Sequence, residues 1–264
     1  MTAPVFVVDG AALQEAAPGS VVTVNGPEGR HAVTVRRIRI GEAVAVVDGL
    51  GRRAVGEVLS ISGKDTLQFA VYSVDVEPLP QPRVTVVQAL PKGDRGELAV
   101  ELLTEVGVDV VVPWSAANCM TQWRPERAER AWQKWHDTSV AAAKQSRRSR
   151  FPIVRTLAAT TEVASLLASA DLAVVLHEDA RRPIASVDVP EAGDVVVVVG
   201  PEGGLTQDEL VAFEGAGAVC VRLGPTVLRT SSAGMAAVAA MLAGSRRWSV
   251  SSEPNVALDG SVEG

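Results

Sequence analysis

Five consecutive valines, Val195 to Val199, lead into the glycine-rich segment GPEGGL and then into a polar stretch that begins at Thr206. A continuous apolar run of this kind is typical of a strand that is buried on both faces. Thr206 and Glu209 match the T-x-x-E capping box, which predicts a helix start next to Thr206. The glycine-rich turn therefore lies at the sheet edge where open α/β proteins bind ligands. Two interpretations stay open: the glycines permit a tight turn, or they bring backbone close to a ligand.

The alternation of apolar runs and helix-like segments extends over residues 84–248. Further apolar runs are VTVVQAL, VDVVVPW, LAVVL and VCVRL, and the segments between them have helical spacing. One predicted helix carries Leu98, Leu102 and Val106 on one face, a second covers residues 125–145, and an Ala-rich helix closes the region. Apolar strands that alternate with helices indicate an α/β fold whose parallel sheet is covered on both faces.

The first part of the chain has a different pattern. Short runs rich in Val, Ile and Thr, separated by Gly or Asp turns, predict a small β-barrel or sandwich. Among them AVTVRRIRI is expected to be a strand, with Arg37 and Arg39 on one face and Arg36 on the other. The segment EPLPQPR, with three prolines, is the predicted linker. We therefore expect a β domain at 1–76, a linker at 77–83, an α/β domain at 84–248 and a polar tail at 249–264.

Composition excludes several classes of protein. Apolar residues make up 47% of the chain and charged residues 21%, which is typical of a globular protein. No apolar run reaches the roughly 18–20 residues that span a bilayer, and the first residues lack the pattern of a secretion signal. Cys119 and Cys220 fit no metal-ligand spacing and are interpreted as reduced thiols. We expect a cytoplasmic protein with no membrane contact and no bound metal. The net charge of −6 argues against nucleic-acid binding over the whole surface, but it allows a local basic patch.

Two further strand ends carry polar residues that could share a pocket with the glycine-rich turn. LAVVL ends in His177-Glu178-Asp179, and VCVRL ends in a Gly-Pro turn followed by Arg229. His177 has a second interpretation, a strand-end residue with one local hydrogen bond. The phosphate motifs G-x-x-x-x-G-K-[ST] and G-x-G-x-x-G are both absent. A P-loop nucleotide-binding protein and a nucleotide-dependent oxidoreductase are therefore disfavoured.

The order of motifs along the chain resembles one known family. GPEGGLT is followed some twenty residues later by LGPTVLRT and the Ala-rich helix. Upstream lie KGDR, ELLTEVGV, QSRR with a nearby proline, and LHE, and the first domain contributes HAVTVR and a later Asp-Gly. In this order the motifs are similar to those of the RsmE-type 16S rRNA (uracil-N3) methyltransferases of the SPOUT superfamily, over nearly the whole chain.

The resemblance implies a fold, a cofactor and a reaction. The fold would be a small PUA-like β-barrel followed by a SPOUT α/β domain with a parallel sheet and a deep trefoil knot, assembled as a homodimer. The reaction would be methylation of N3 of one uridine, the family's uridine 1498 in 16S rRNA of the small ribosomal subunit. S-adenosyl-L-methionine would be held by Leu176, His177, Glu178, Gly200, Pro201, Glu202, Gly203, Gly204, Leu223, Gly224, Leu228 and Ala233.

Uracil N3 must lose a proton before it can attack a methyl group, and a cation beside the flanking carbonyl oxygens stabilises the resulting anion. Arg229 is the candidate for that role, with the holding of loops or of RNA phosphate as alternatives. Ser231 stands where the family commonly has a carboxylate, so no acidic role is assigned there. No general base is evident from the sequence.

RNA contacts are expected from basic clusters, although a solvated charged surface is the alternative for each. The segment KQSRRSR holds four cations in seven residues, which favours phosphate contact. The candidates are Arg30, His31, Arg36, Arg37, Arg39, Lys92, Arg95, Lys144, Gln145, Arg147, Arg148 and Arg150. The five tryptophans could stack on bases, but Trp132 and Trp135 have the spacing of core or interface residues. Two other functions stay open: a SPOUT methyltransferase with a different RNA target, and a non-catalytic RNA-binding protein.

Overall fold

The computed structural model describes residues 3–249, and all but the first residue of the predicted polar tail falls outside them. These residues form two sheets, one of five strands and one of six. The segment between the sheets contains the prolines of the predicted linker, and Arg83 already belongs to the first strand of the second sheet. No helix in the described part of the chain is both long and apolar enough to cross a membrane.

The first sheet has the order β1-β3-β4-β5-β2, with β1 parallel to β3 and the other pairs antiparallel. Its core contains Phe6, Leu67 and Phe69, all of which are fully buried or nearly so. The elements of this region are β1 (Val5–Val7), α1 (Gly10–Gln14), β2 (Val21–Val24), α2 (Gly26–Arg30), a π-helix (His31–Val35), β3 (Ala43–Val47), β4 (Arg52–Ser62) and β5 (Thr66–Val76). The β-rich pattern of the sequence is confirmed for these five strands.

The strand predicted for AVTVRRIRI is wrong. Its residues continue α2 as a π-helix and then form irregular chain, in which Arg37 has a φ of 56°. The buried positions Gly29, Ala32 and Ile38 do not alternate as a strand requires. The expected division of Arg36 from Arg37 and Arg39 between two faces therefore fails. Packing of the helical turn on the domain core outweighs the β propensity of its valines and threonine.

The second sheet has the order β11-β9-β10-β6-β7-β8, and every pair in it is parallel. Side chains of successive residues point to opposite faces of a strand, yet all five residues of β7 and five consecutive valines of β10 are buried. Both faces are therefore covered, as predicted. The strands are β6 (Arg83–Ala89), β7 (Val110–Trp114), β8 (Ile153–Val154), β9 (Leu172–Leu176), β10 (Asp194–Val199) and β11 (Val219–Val221).

The helices that cover this sheet are α3 (Arg95–Glu105), α4 (Pro125–Gln145), α5 (Thr160–Ala168), α6 (Gln207–Gly215) and α7 (Thr230–Leu242). The helix predicted at 125–145 is confirmed. The apolar face predicted for α3 is only partly buried: Leu98 is exposed and Leu102 and Val106 are half-buried. The buried face instead carries Ala99, Val100 and Leu103. α7 lies close to α3, β10 and β6: a Cβ added at Gly234 would stand 3.0 Å from Leu103, 3.2 Å from Val199 and 3.5 Å from Val86.

The two sheets are joined by polar contacts as well as by the chain. The Lys144 ammonium donates to Glu28 Oε1 at 2.6 Å, and Glu28 Oε2 accepts from the Val7 N–H at 3.1 Å. Gly51 donates its N–H to the carbonyl of Ser149 at 3.0 Å. Arg150 donates to the carbonyl of Glu77 at 2.8 Å. The end of α4 and the residues after it thus fasten the first sheet to the second.

Candidate active site

The carboxyl ends of β9, β10 and β11 meet at one edge of the parallel sheet, since these strands are neighbours in the order β11-β9-β10. The loops that follow them enclose a cleft of about 660 Å³. Ligand pockets of proteins usually have a volume in this range, and open α/β sheets bind ligands at this edge. The cleft is therefore the candidate active site.

Every residue predicted to hold the cofactor lines this cleft. The lining residues from that prediction are Leu176, His177, Glu178, Gly200, Pro201, Glu202, Gly203, Gly204, Leu223, Gly224, Leu228 and Ala233. Arg229, the predicted catalytic cation, lines it too, and so does Arg95 from the start of α3. Residues separated by up to 138 positions are thus brought to one place by the fold.

The glycines of the turn after β10 are explained largely by the protein itself. A Cβ added at Gly203 would stand 2.9 Å from Cβ of Asn118, and one at Gly200 would stand 3.1 Å from the Leu205 side chain. Gly204 has a φ of 75°, a conformation that side chains disfavour. Of the two interpretations of this turn, the tight turn is confirmed for Gly204, and the close approach at Gly203 is to another loop of the same chain.

That turn is held from three directions. Asn118 Nδ2 donates to the carbonyls of Gly203 and Gly204 at 3.2 and 3.1 Å. Glu209, only 4% exposed, accepts from the N–H of Ala117 at 2.8 Å. Its other oxygen accepts from the N–H and hydroxyl of Thr206, which confirms the predicted capping box. On the remaining side, the Lys92 N–H donates to Glu202 Oε1 at 3.3 Å.

The loop after β11 is built differently. Val227 is 75% exposed, Leu228 is exposed beside it, and no atom lies within 4 Å of a Cβ added at Gly224. Arg229 is the N-terminal cap of α7, and its guanidinium makes no hydrogen bond or ion pair within residues 3–249. The loop is bonded at its two ends: Arg222 exchanges backbone hydrogen bonds with Arg182 and Ile184, and the carbonyl of Thr230 accepts from the buried Gln88 amide at 3.4 Å.

The other chemical groups near the cleft are not arranged as nucleophiles or metal ligands. His177 Nδ1 accepts the Asp179 N–H at 3.3 Å, which is the local hydrogen bond considered for it from sequence. Burial raises the pKa of the Cys119 thiol, and burial together with a hydrogen bond to Glu214 raises the pKa of Cys220 to about 11. Within residues 3–249 no cluster of three or more His, Cys, Asp or Glu side chains could hold a metal ion.

The tryptophans are mainly structural. Trp114 is fully buried against Phe213, and Trp135 packs edge-to-face on Trp123 with ring centroids 5.1 Å apart. Trp132 donates its indole N–H to the Val154 carbonyl at 3.1 Å. These contacts agree with the core interpretation of Trp132 and Trp135.

Nine of the twelve predicted RNA-binding residues fall into three groups. Lys92 and Arg95 lie beside the cleft. Arg30 and His31 line a second cavity of about 490 Å³ in the first domain. The exposed remainder, away from both cavities, consists of Arg36, Arg37, Arg39, Gln145 and Arg147.

Three cations of KQSRRSR are engaged by the protein. Arg148 donates to the carbonyls of Thr104, Val108 and Arg150 and lies 3.6 Å from the Asp109 carboxylate, while burial lowers its pKa. Lys144 and Arg150 make the contacts between the two sheets described above. Arg147 is the exposed cation of the four. In this segment Arg147 is therefore the best candidate for contact with RNA phosphate.

Sequence reasoning missed the residues that hold the cleft in shape. Asn118 was not singled out, and Glu209 was recognised only as a helix cap. One signal could have found Asn118: it follows β7 at the same carboxyl edge as the three predicted loops. Further lining residues absent from the prediction are Asp179, Val199, Leu205, Arg222, Pro225, Thr226, Val227 and Thr230.

Two family models and several known proteins match this chain. A family model of the RNA methyltransferase domain matches residues 77–242, and a model of the RNA methyltransferase PUA domain matches residues 24–72. The ribosomal RNA small subunit methyltransferase E of Mycobacterium bovis is 44% identical over 88% of this chain and 90% of its own length. The protein of the same name from Bacillus subtilis is 28% identical over 83% and 88%.

Solved structures share the architecture. The ribosomal RNA small subunit methyltransferase E from Neisseria gonorrhoeae, bound to S-adenosyl methionine, superposes with a TM-score of 0.79. It is 24% identical and the match covers 92% of this chain and 98% of that one, which shows a common fold. Because the methyltransferase model covers more than half of the chain and a relative is 44% identical along most of its length, this chain belongs to the ribosomal RNA small subunit methyltransferase E family.

Proposed function

We propose that this protein transfers a methyl group from S-adenosyl-L-methionine to N3 of a single uridine in small-subunit ribosomal RNA, uridine 1498 in the family's numbering. The observation that carries the proposal is the 44% identity to a small-subunit rRNA methyltransferase along 88% of the chain. A cleft at the carboxyl edge of the parallel sheet, where the family's motifs meet, supports it further. The protein is thus an rRNA methyltransferase that uses S-adenosylmethionine, and the uridine and its N3 atom are the finer part of the proposal.

The cleft fits the cofactor in size and in chemistry. Within residues 3–249 the N–H groups of Gly203, Leu205 and Leu228 donate no hydrogen bond, so they are available to the acceptors of an adenine ring or a carboxylate. The lining contains both carboxylates, such as Glu178, and cations, such as Arg95, which suits a ligand with charges of both signs. When bound, S-adenosylmethionine supplies a methyl group activated by its positive sulfur.

Arg229 has the position required to stabilise a uracil anion. It lies at the wall of the cleft, it is exposed, and no acid within residues 3–249 pairs with it. A guanidinium free of protein partners can donate to the carbonyl oxygens on either side of N3 as negative charge develops there. Ser231 is buried behind it and takes no part in this wall.

The RNA would enter with the target nucleotide unpaired, because N3 lies on the Watson–Crick edge. Lys92 and Arg95 beside the cleft would contact the flanking phosphates. Arg37, Arg39 and Arg147 are exposed and would contact more distant phosphates. Binding of this kind weakens steeply as salt rises.

The resemblance further supports a homodimer and a trefoil knot. Leu98 and Met120, on segments that flank the cleft, are exposed apolar side chains that a second copy would cover. The chain passes from β11 at the sheet edge back to α7 on β6 and β10, as the threading of a knot requires. We infer that two copies act together in the cytoplasm, and light scattering of the purified protein tests the dimer.

The decisive experiment is deletion of the gene followed by mass-spectrometric mapping of rRNA modifications. We expect the loss of one N3-methyluridine from the small-subunit RNA and its return when the gene is restored. Loss of a different methylated nucleotide would support the methyltransferase activity but contradict the proposed target uridine. An unchanged map would overturn the proposed function as a whole.

A further inference from the structure

Asn118 makes the contact that most directly fixes the turn after β10. Its side-chain amide donates to two consecutive carbonyls, those of Gly203 and Gly204, at 3.2 and 3.1 Å. Gly203 also has no room for a side chain because Asn118 Cβ occupies the space. Asn118 itself is exposed and does not line the cleft, so the turn lies between it and any ligand.

The orientation of one peptide group follows from these bonds. The carbonyl of Gly204 and the N–H of Leu205 belong to the same peptide, which is trans. In a trans peptide these two groups point in opposite directions. Since the carbonyl is held by Asn118 on the outer side of the turn, the Leu205 N–H faces the other side. Leu205 lines the cleft, and its N–H donates no hydrogen bond within residues 3–249.

We propose that Asn118 is a positioning residue for the cofactor: it holds the Gly204–Leu205 peptide so that the Leu205 N–H donates to an acceptor atom of S-adenosylmethionine. The inference rests on the proposed function of the cleft. Without Asn118 this peptide can rotate, and its N–H must then be ordered each time the cofactor binds. Glu209 and Lys92 hold the two ends of the turn but make no bond to this peptide.

The test compares three variants of the full-length protein by calorimetry with S-adenosylmethionine. Asn118→Ala removes both donors, and we expect the dissociation constant to rise roughly tenfold. Asn118→Asp keeps the shape but places a carboxylate against two carbonyl oxygens, and we expect a loss at least as large. Asn25→Ala is the matched control, because Asn25 is also exposed and makes no side-chain cap bond. It should bind like the unaltered protein.

Two further readouts separate positioning from general damage. For Asn118→Ala the KM for S-adenosylmethionine should rise by the same factor as the dissociation constant, while kcat and the KM for RNA stay unchanged. In the unaltered protein, the Leu205 amide should become protected from hydrogen exchange when S-adenosylmethionine is added. Wild-type affinity in both Asn118 variants, a fall in kcat alone, or an unprotected Leu205 amide would each overturn the inference. Failure of the unaltered protein to bind S-adenosylmethionine would overturn the proposed function instead.

Discussion

Two loops that form the cleft differ in how the protein holds them. The turn after β10, residues 200–205, is bonded to Asn118 and, through Glu202, to the backbone of Lys92, while Glu209 ties Thr206, directly after the turn, to Ala117. The loop after β11, residues 222–229, exposes Val227, Leu228 and Arg229 to solvent. The first loop has the geometry of a preformed binding surface. The second presents exposed side chains that are free to contact a ligand or another molecule.

The contrast explains why the two loops carry different residues. A braced turn has neighbours on its outer side, so small residues such as Gly203 are required where another loop approaches. An open loop has no such constraint and can carry a large cation such as Arg229. We therefore propose that the first loop holds the cofactor on a fixed surface, whereas the second, besides its expected cofactor contacts, presents Arg229 to the reacting base.

The largest effect should come from Arg229→Ala. If Arg229 stabilises the uracil anion, methyl transfer should fall roughly 100- to 1,000-fold, while S-adenosylmethionine binds as before. Single-turnover assays with small-subunit RNA measure the first, and calorimetry measures the second. Arg155→Ala, at an exposed site after β8, is the matched control and should keep full activity. Normal turnover by Arg229→Ala would contradict the assignment of the second loop to the reacting base.

The fold can be predicted from sequence where burial is uniform. β10 is recognisable because its valines are buried on both faces, and α6 because Thr206 and Glu209 mark its start. The prediction fails for the segment that contains Ala32 and Ile38, because its β-branched residues favour strands locally, whereas the domain core selects a helical turn. β8, with only two residues, has no detectable period.

The candidate site is predictable in part for the same kind of reason. Strand-end loops of a parallel sheet share one edge, so the order of strands and loops along the chain is enough to group the residues around His177, Gly203 and Arg229. The same rule places Asn118, after β7, at this edge, but it does not predict the contact of Asn118 with carbonyls 85 and 86 positions away. Arg148 shows the converse: its charge suggests RNA, but the fold buries it beside Asp109.

A second test compares alanine at one glycine of each loop. Gly203→Ala should destabilise the protein by about 1–3 kcal/mol, because the new Cβ would stand 2.9 Å from Asn118. Gly224→Ala has open space and should change the free energy of unfolding by less than about 0.5 kcal/mol. Urea denaturation measures both. Equal effects at the two positions would show that the loops are held alike.

The bracing by Glu209 predicts a similar or smaller loss. Glu209→Gln keeps the side-chain shape but turns an NH₂ group toward N–H donors, which should cost about 1–2 kcal/mol of unfolding free energy. Asp208→Asn makes the same chemical change one residue earlier, on the exposed side of α6, and should cost less than about 0.5 kcal/mol. Equal losses of unfolding free energy for the two substitutions would mean that the contact between Glu209 and Ala117 does not stabilise the protein.

The smallest effect is expected for Val227→Ser in the open loop. At 75% exposure this side chain buries little apolar surface, so the free energy of unfolding should change by less than about 0.5 kcal/mol. Val199→Ser, where β10 enters the braced turn, buries a hydroxyl in a site 2% exposed and should cost more than about 2 kcal/mol. Urea denaturation at two protein concentrations distinguishes the outcomes. A large, concentration-dependent loss for Val227→Ser would mean that a second copy covers this loop in solution, so that the loop is held between subunits and is not open.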